Sequence, residues 1–116
     1  MWLFSTSGFF SLVQDGKDPS IHHLRARCPA DLENLRMLVP ELPEPVTSHP
    51  GSDYPWRILC PSELLPAVLT ALGRRIRYSN FKSETAATAG QRDKLAAYHK
   101  IWAVMASWGA DSRRGA

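Results

Sequence analysis

The most constraining feature of the sequence is an eight-residue pattern that occurs twice, 32 residues apart. Residues 25–32 read Arg-Ala-Arg-Cys-Pro-Ala-Asp-Leu and residues 57–64 read Arg-Ile-Leu-Cys-Pro-Ser-Glu-Leu. Proline is tolerated in the first turn of a helix, where its missing N–H has no partner, and an acidic residue there lies near the positive end of the helix dipole. Both copies therefore predict a strand, a sharp junction and a helix. A duplication and a common solution to the same turn explain the repeat equally well.

The remaining elements follow from the period of the apolar residues. Residues 2–5 and 9–14 are aromatic and β-branched, which predicts two strands around a Ser7-Gly8 turn. Alternation over 21–28 predicts a half-buried strand whose polar face carries His23, Arg25 and Arg27. Helical spacing predicts helices over about 29–39, 61–75 and 91–108, and residues 76–78 read as a short edge strand. The proline-rich stretch 40–55 predicts an extended surface loop.

Together these elements predict an α+β fold. We expect a three- or four-stranded, mainly antiparallel sheet with helices on one face, in the order β-β-β-α-β-α-α, as a variant of the ferredoxin-like class. A chain of 116 residues fits one domain. We place that domain at 1–108 and expect a mobile tail over 109–116, because Gly109 can end the last helix.

Composition and charge restrict the class of protein. The apolar fraction of 44% is that of a globular chain, and no segment has the roughly 18 apolar residues of a membrane span. No secretory signal is recognised, and the two cysteines favour a reducing, cytoplasmic compartment over a disulfide scaffold. Residues 1–72 hold five basic and eight acidic residues, whereas residues 73–116 hold nine basic and three acidic ones. This asymmetry predicts a bipartite polar surface.

The sequence carries no recognisable catalytic, metal-binding or cofactor-binding motif. It has no paired Cys/His spacing for zinc, no nucleophile elbow and no glycine-rich phosphate loop. Cys28 or Cys60 could act as a nucleophile, since each precedes a predicted helix whose dipole would lower its pKa. The repetition of the Cys-Pro position favours a packing role instead. We therefore predict a protein that is not an enzyme, with no catalytic residues, no metal site and no cofactor.

Aromatic and basic residues predict where a partner binds. Tyr, Trp and Arg are the residue types that anchor protein interfaces, and they cluster at 54–57 and, with further polar residues, at 74–82. The leading hypothesis is a non-enzymatic protein-binding module. The alternative is a nucleic-acid-binding accessory domain that uses the basic run 74–82. The predicted partner-binding residues are Tyr54, Trp56, Arg57, Arg74, Arg75, Arg77, Asn80, Lys82 and His99.

Seven short segments also carry a family likeness. They are Met-Trp-Leu-Phe at 1–4, Gly-Phe-Phe-Ser at 8–11, Leu-Arg-Ala-Arg at 24–27 with Asp-Leu at 31–32, Asp-Tyr-Pro-Trp-Arg at 53–57, Tyr-Ser-Asn-Phe-Lys at 78–82 and Tyr-His-Lys-Ile-Trp at 98–102. Over nearly the whole chain they resemble a family of short uncharacterised bacterial and mobile-element proteins, and this resemblance implies no activity. In size, compactness and lack of enzymatic signatures alone, the chain is similar to anti-CRISPR inhibitors of phages. That similarity implies a viral inhibitor that occupies a surface of a Cas protein.

Overall fold

The computed structural model describes residues 1–49 and 51–115, with the side chains of the last helix described as far as residue 111. The described chain forms two compact units, Met1–Arg77 and Tyr78–Ala116.

The first unit is a five-stranded antiparallel sheet with two helices. Its elements are β1 (Trp2–Ser5), β2 (Gly8–Gln14), β3 (Ile21–Ala26), α1 (Pro29–Leu38), β4 (Val46–Thr47), β5 (Trp56–Pro61) and α2 (Leu65–Arg74). The strands lie in the order β1-β2-β3-β5-β4, and every neighbouring pair is antiparallel. Both copies of the repeated pattern lead from a strand to a helix. Pro29 begins α1 directly, whereas Pro61 ends β5 and a 3₁₀ turn (Ser62–Leu64) precedes α2.

The hydrophobic core lies between one face of the sheet and the two helices. Successive residues of a strand point to opposite faces, so the residues of β2, β3 and β5 that face the core recur at every second position. The fully buried side chains of this core include Phe10, Leu24 and Ile58 from the strands, and Leu32 and Leu35 from α1. Burying one such side chain contributes about 1.5–3 kcal/mol. The core therefore fixes which sheet face meets the helices.

The turn between β1 and β2 is anchored to the first turn of α1. The backbone N–H of Phe9 donates to Asp31 Oδ2 at 3.2 Å, and Asn34 Nδ2 donates to the Ser7 carbonyl at 2.8 Å. Gly8 has a φ of +152°, and a Cβ at this position would lie 2.5 Å from Asp31 Cγ. The acidic residue of the first repeated pattern is therefore a buried anchor for a strand turn.

The α+β class and the antiparallel sheet are confirmed, but three details differ. The sheet has five strands instead of three or four. The additional strand is β4, which lies within the predicted proline-rich loop and pairs with β5. Its two residues are too few to show a period in the sequence. The strand predicted at 76–78 is wrong. Ile76 and Arg77 follow α2 in a local turn, where their backbone N–H groups donate to the carbonyls of Gly73 and Arg75. The strand order, with all neighbours antiparallel, does not establish the ferredoxin-like variant.

The second unit is helical and contains α3 (Phe81–Ala87) and α4 (Leu95–Gly115), with a 3₁₀ turn (Arg92–Lys94) before α4. Asn80 caps α3, because its side-chain oxygen accepts from the N–H of Ser83 at 2.8 Å. The rings of Phe81 and Tyr98 lie 5.5 Å apart and join α3 to α4.

The end of the last helix was predicted wrongly. α4 continues through Gly109 to Gly115, since a glycine in a helix interior costs only about 1 kcal/mol. The predicted mobility of the tail falls partly outside the described residues. In the described chain, no helix has the length and apolar character that crossing a membrane requires.

Candidate binding surface

The sheet face opposite the core carries neither helix of the first unit. We call it the open face and define it by the outward strand positions. One row across all five strands follows from the register Trp2–Ser11, Ser11–Arg25, Arg25–Arg57 and Arg57–Val46. The neighbouring rows add aromatic, aliphatic and histidine side chains. The open face comprises Trp2, Phe4, Phe9, Ser11, Val13, His23, Arg25, Val46, Arg57 and Leu59.

A chain of hydrogen bonds on the open face joins Arg57, His23 and Asp15. Arg57 Nη1 lies 3.1 Å from His23 Nδ1, and His23 Nε2 lies 2.7 Å from Asp15 Oδ1. A guanidinium can only donate, so Nδ1 of His23 accepts and carries no proton. Nε2 therefore carries the proton and donates it to the carboxylate. This arrangement places a guanidinium at one ring nitrogen of His23 and a carboxylate at the other.

The same arginine also positions a loop over the open face. Arg57 Nη2 donates to the Tyr54 carbonyl at 3.3 Å and to Ser52 Oγ at 3.5 Å, and Ser52 Oγ accepts from the N–H of Tyr54. Tyr54 is 7% exposed, and the centroid of its ring lies 6.4 Å from that of Phe9. Arg57 is thus a positioning residue that fixes the tyrosine beside the sheet.

Two more guanidinium groups pack on this tyrosine. Arg25 Cζ lies 4.6 Å and Arg27 Cζ 4.7 Å from the centroid of the Tyr54 ring, which are cation–π distances. Arg25 Nη2 also donates to Ser11 Oγ at 2.7 Å, and this serine is buried. The ring therefore contacts both guanidinium groups, and the hydroxyl also positions that of Arg25.

The positive charge of this cluster is not neutralised within the described residues. Among the described residues, no carboxylate lies within 4.0 Å of a guanidinium nitrogen of Arg25, Arg27 or Arg57. Asp15, on the same face, pairs with His23 instead. The buried Nε atoms of Arg25 and Arg57 also lack a hydrogen-bond acceptor in this part of the chain. A buried donor without an acceptor is costly, and an anion supplied from outside would remove that cost for any N–H that it reaches. The arrangement is therefore suited to binding a carboxylate or a phosphate.

Asp15, at the end of this chain of hydrogen bonds, has a pKa that can be tested. The hydrogen bond from His23, followed by those from the backbone N–H groups of Asp18 and Lys17, lowers the pKa of Asp15 from 3.8 to about 2. Because the folded pKa is the lower one, the contribution of this carboxylate to stability is present above pH 3.8 and is lost as the pH falls towards 2. We expect an NMR titration of the Asp15 carboxyl to have its midpoint near 2. His23→Phe should raise that midpoint.

His22→Phe is the matched control for this titration, because the side chain of His22 bonds to Ser62, whereas that of His23 bonds to Asp15. It should leave the Asp15 midpoint unchanged. A midpoint at 3.8 in the unaltered protein, or equal shifts in the two variants, would contradict the contact.

The structure places the three residues predicted at 54–57 in different environments. Tyr54 and Arg57 lie in the cluster on the open face. Trp56 pairs with Ala26 and packs against the hydrophobic core. Only two of the three therefore contribute to the candidate surface.

The predicted basic residues do not join the open face. Arg74 ends α2 and lines a shallow groove between α1 and α2 that also includes Glu41. Arg75 and Arg77 follow the helix and are exposed. They give the end of α2 a positive charge that complements its dipole.

Three predicted residues belong to the second unit. Asn80 is the α3 cap described above. Lys82 Nζ lies 3.4 Å from His99 Nδ1 and 4.9 Å from the centroid of the Trp102 ring, and the His99 and Trp102 rings stack at 5.7 Å. Lys82 and His99 are thus brought together on Trp102, which was not predicted as a binding residue.

The two cysteines predicted as possible nucleophiles differ in position, since Cys28 is half-buried at the N-terminus of α1 and Cys60 lies within β5. Cys60 is buried, and this burial raises the pKa of its thiol, contrary to the lowering expected from a helix dipole. Ser62 Oγ lies 2.6 Å from His22 Nδ1, but its hydroxyl donates to the Pro19 carbonyl at 2.8 Å. His23 has a base-orienting carboxylate but faces a guanidinium where a nucleophile would have to lie. Within the described residues, no group of three or more His, Cys, Asp or Glu side chains is placed to hold a metal ion.

Comparison with protein-family models, with curated proteins and with solved structures finds no match to this chain.

Proposed function

We propose that the protein is a non-enzymatic binding module whose open face binds a carboxylate-bearing segment of a partner protein. The observation that carries this proposal is the pair of guanidinium groups of Arg25 and Arg27 on the Tyr54 ring, with no carboxylate of the described chain within 4.0 Å. Guanidinium binds carboxylates in a planar, often bidentate geometry, and each charged hydrogen bond contributes about 1.5–3 kcal/mol. The partner would supply the missing negative charge.

The composition of the open face favours a protein over a nucleic acid. Interface cores are enriched in aromatic residues and arginine and depleted in lysine, and the outward strand positions include arginine and aromatic side chains but no lysine. Three apolar side chains on these strands remain exposed, namely Trp2 at 66%, Val46 at 43% and Leu59 at 38%. A nucleic acid would instead require a row of cations that follows its phosphates. An acidic segment with apolar residues between its carboxylates matches this surface better.

The contacts assign different tasks to the three arginines. Arg57 donates to His23, to Ser52 and to the carbonyl of Tyr54, so it supports the surface. Arg25 donates to Ser11 through one terminal nitrogen only, and Arg27 is exposed with its guanidinium on the ring. Arg25 and Arg27 are therefore the residues that would contact the partner.

The test is a titration of the full chain with a synthetic peptide that alternates glutamate with leucine and tyrosine. A matched peptide with glutamine in place of glutamate and a single-stranded oligothymidylate form the other two arms. We expect binding of the glutamate peptide and at least tenfold weaker binding of the glutamine peptide. Equal binding of the two peptides would contradict the proposal. Tighter binding of the oligonucleotide would replace it with nucleic-acid binding.

A module of this kind acts by covering a surface of its partner. An inhibitory role of the anti-CRISPR type stays a prediction, because no feature of the open face is specific to a Cas protein. The same holds for membership of the bacterial and mobile-element family described above.

A further inference from the structure

The exposed half of α4 carries an apolar stripe. Ile101, Val104, Met105 and Trp108 follow the spacing i, i+3, i+4, i+7, which places them on one side of a helix. In a globular protein such a stripe normally faces a core, but here the four side chains are 39%, 66%, 57% and 63% exposed. Trp102 lies beside the stripe and is 59% exposed. A contiguous apolar surface of this kind marks a site of association.

We propose that this stripe pairs with the same stripe of a second copy of the chain, with the two α4 helices antiparallel. A two-fold axis between Val104 and Met105 would set Ile101 against Trp108 of the second copy and Val104 against its Met105. Each apolar side chain of the stripe then has an apolar partner. A closed, isologous contact of this type is the commonest symmetry of protein dimers.

The residues that flank the stripe also complement each other under this symmetry. With a rise of about 1.5 Å per residue, Lys100 and Asp111 of the second copy lie on the same flank within about 3 Å along the axis. On the other flank, Trp102 and Gly109 of the second copy also lie within about 3 Å of each other along the axis. A Cβ added at Gly109 would meet no atom within 4 Å, so there is open space beside the glycine for an indole. One antiparallel register therefore matches both charge and size.

The available area is sufficient for a reversible dimer. With about 150–250 Å² for an aromatic side chain and less for an aliphatic one, the five partly exposed apolar residues present on the order of 500–600 Å² per chain. Two copies would bury roughly 1,000–1,200 Å², which is the lower limit for a specific interface. We therefore expect association in the micromolar range.

The test is sedimentation equilibrium of the full chain from about 5 to 500 μM. We expect a monomer–dimer equilibrium that Val104→Glu/Trp108→Glu weakens at least tenfold. Ala103→Glu is the matched control, because Ala103 is exposed on the opposite side of α4, and it should change the dissociation constant less than twofold. Circular dichroism establishes that each variant is folded.

A charge exchange tests the register. Lys100→Asp alone should weaken the dimer, and the addition of Asp111→Lys should restore it, because the exchanged pair again has opposite charges. A monomer at every concentration would overturn the proposal, as would equal effects of the stripe variant and the Ala103 control. A dimer that the charge exchange fails to restore would overturn the antiparallel register.

Discussion

Replacing Gly8 with alanine is expected to destabilise the first unit by about 2–3 kcal/mol, since a new methyl group in a packed site and a left-handed backbone both carry a cost. The Cβ would lie 2.5 Å from Asp31 Cγ and 2.7 Å from Asp31 Cβ, closer than non-bonded carbon atoms approach. The φ of +152° adds strain for any residue with a side chain. Relief would require movement of the carboxylate that accepts from Phe9. Urea denaturation of the full chain measures the change.

Gly16→Ala is the control for this substitution, because a Cβ at Gly16 would meet no atom within 4 Å. Its stability should change by less than about 1 kcal/mol. The double variant Gly8→Ala/Asp31→Ala should lose less than the sum of the two single variants, because removing the Asp31 side chain removes the close contact. Equal losses for Gly8→Ala and Gly16→Ala would show that Gly8 is not in contact with α1.

Replacing the two arginines that contact the Tyr54 ring is expected to weaken binding strongly. Arg25→Gln/Arg27→Gln should weaken binding of the glutamate peptide by roughly 30- to 150-fold, because two charged hydrogen bonds together contribute about 2–3 kcal/mol at a partly exposed site. The substitution also removes the donor of the bond to Ser11 Oγ, but the strand pairing uses backbone groups, so the sheet should keep its structure. Isothermal titration calorimetry at fixed salt concentration measures the change, with a thermal melt to establish that the variant is folded.

Arg74→Gln/Arg75→Gln is the matched control, because it removes the same charge from exposed positions at the end of α2. It should weaken peptide binding less than threefold, because it removes only a long-range attraction that salt largely screens. Similar losses in the two double variants would mean that net charge, and not the Tyr54 cluster, is responsible for binding.

Much of the fold could be predicted because local patterns determine it. The Cys-Pro junctions locate two strand–helix transitions, and alternation over 21–28 placed His23, Arg25 and Arg27 together on a polar face. The short strand β4 could not be predicted, since two residues have no period and their pairing depends on the distant β5. For the same reason the anchoring role of Asp31 could not be predicted, because its partner Phe9 is 22 residues away.

The candidate site was predicted only in part. The residue types at 54–57 predict Tyr54 and Arg57 as binding residues, but they do not indicate which cations contact the tyrosine ring. Arg25 and Arg57 occupy the same position in the two repeated patterns and pair across β3 and β5. The position that Arg25 and Arg57 share in the two patterns is therefore a sequence signal for this cluster. The pairing of the two strands that brings them together is a tertiary feature and does not follow from either pattern alone.

The most direct test of the central claim is the NMR spectrum of the arginine Nε–H groups, recorded while the glutamate peptide is added to the full chain. If the open face binds the peptide, the Arg25 and Arg27 signals shift until they reach saturation, and those of Arg74 and Arg75 stay in place. Shifts confined to Arg74, Arg75 and Arg77, or uniform small shifts of all arginines, would contradict a binding site on the open face.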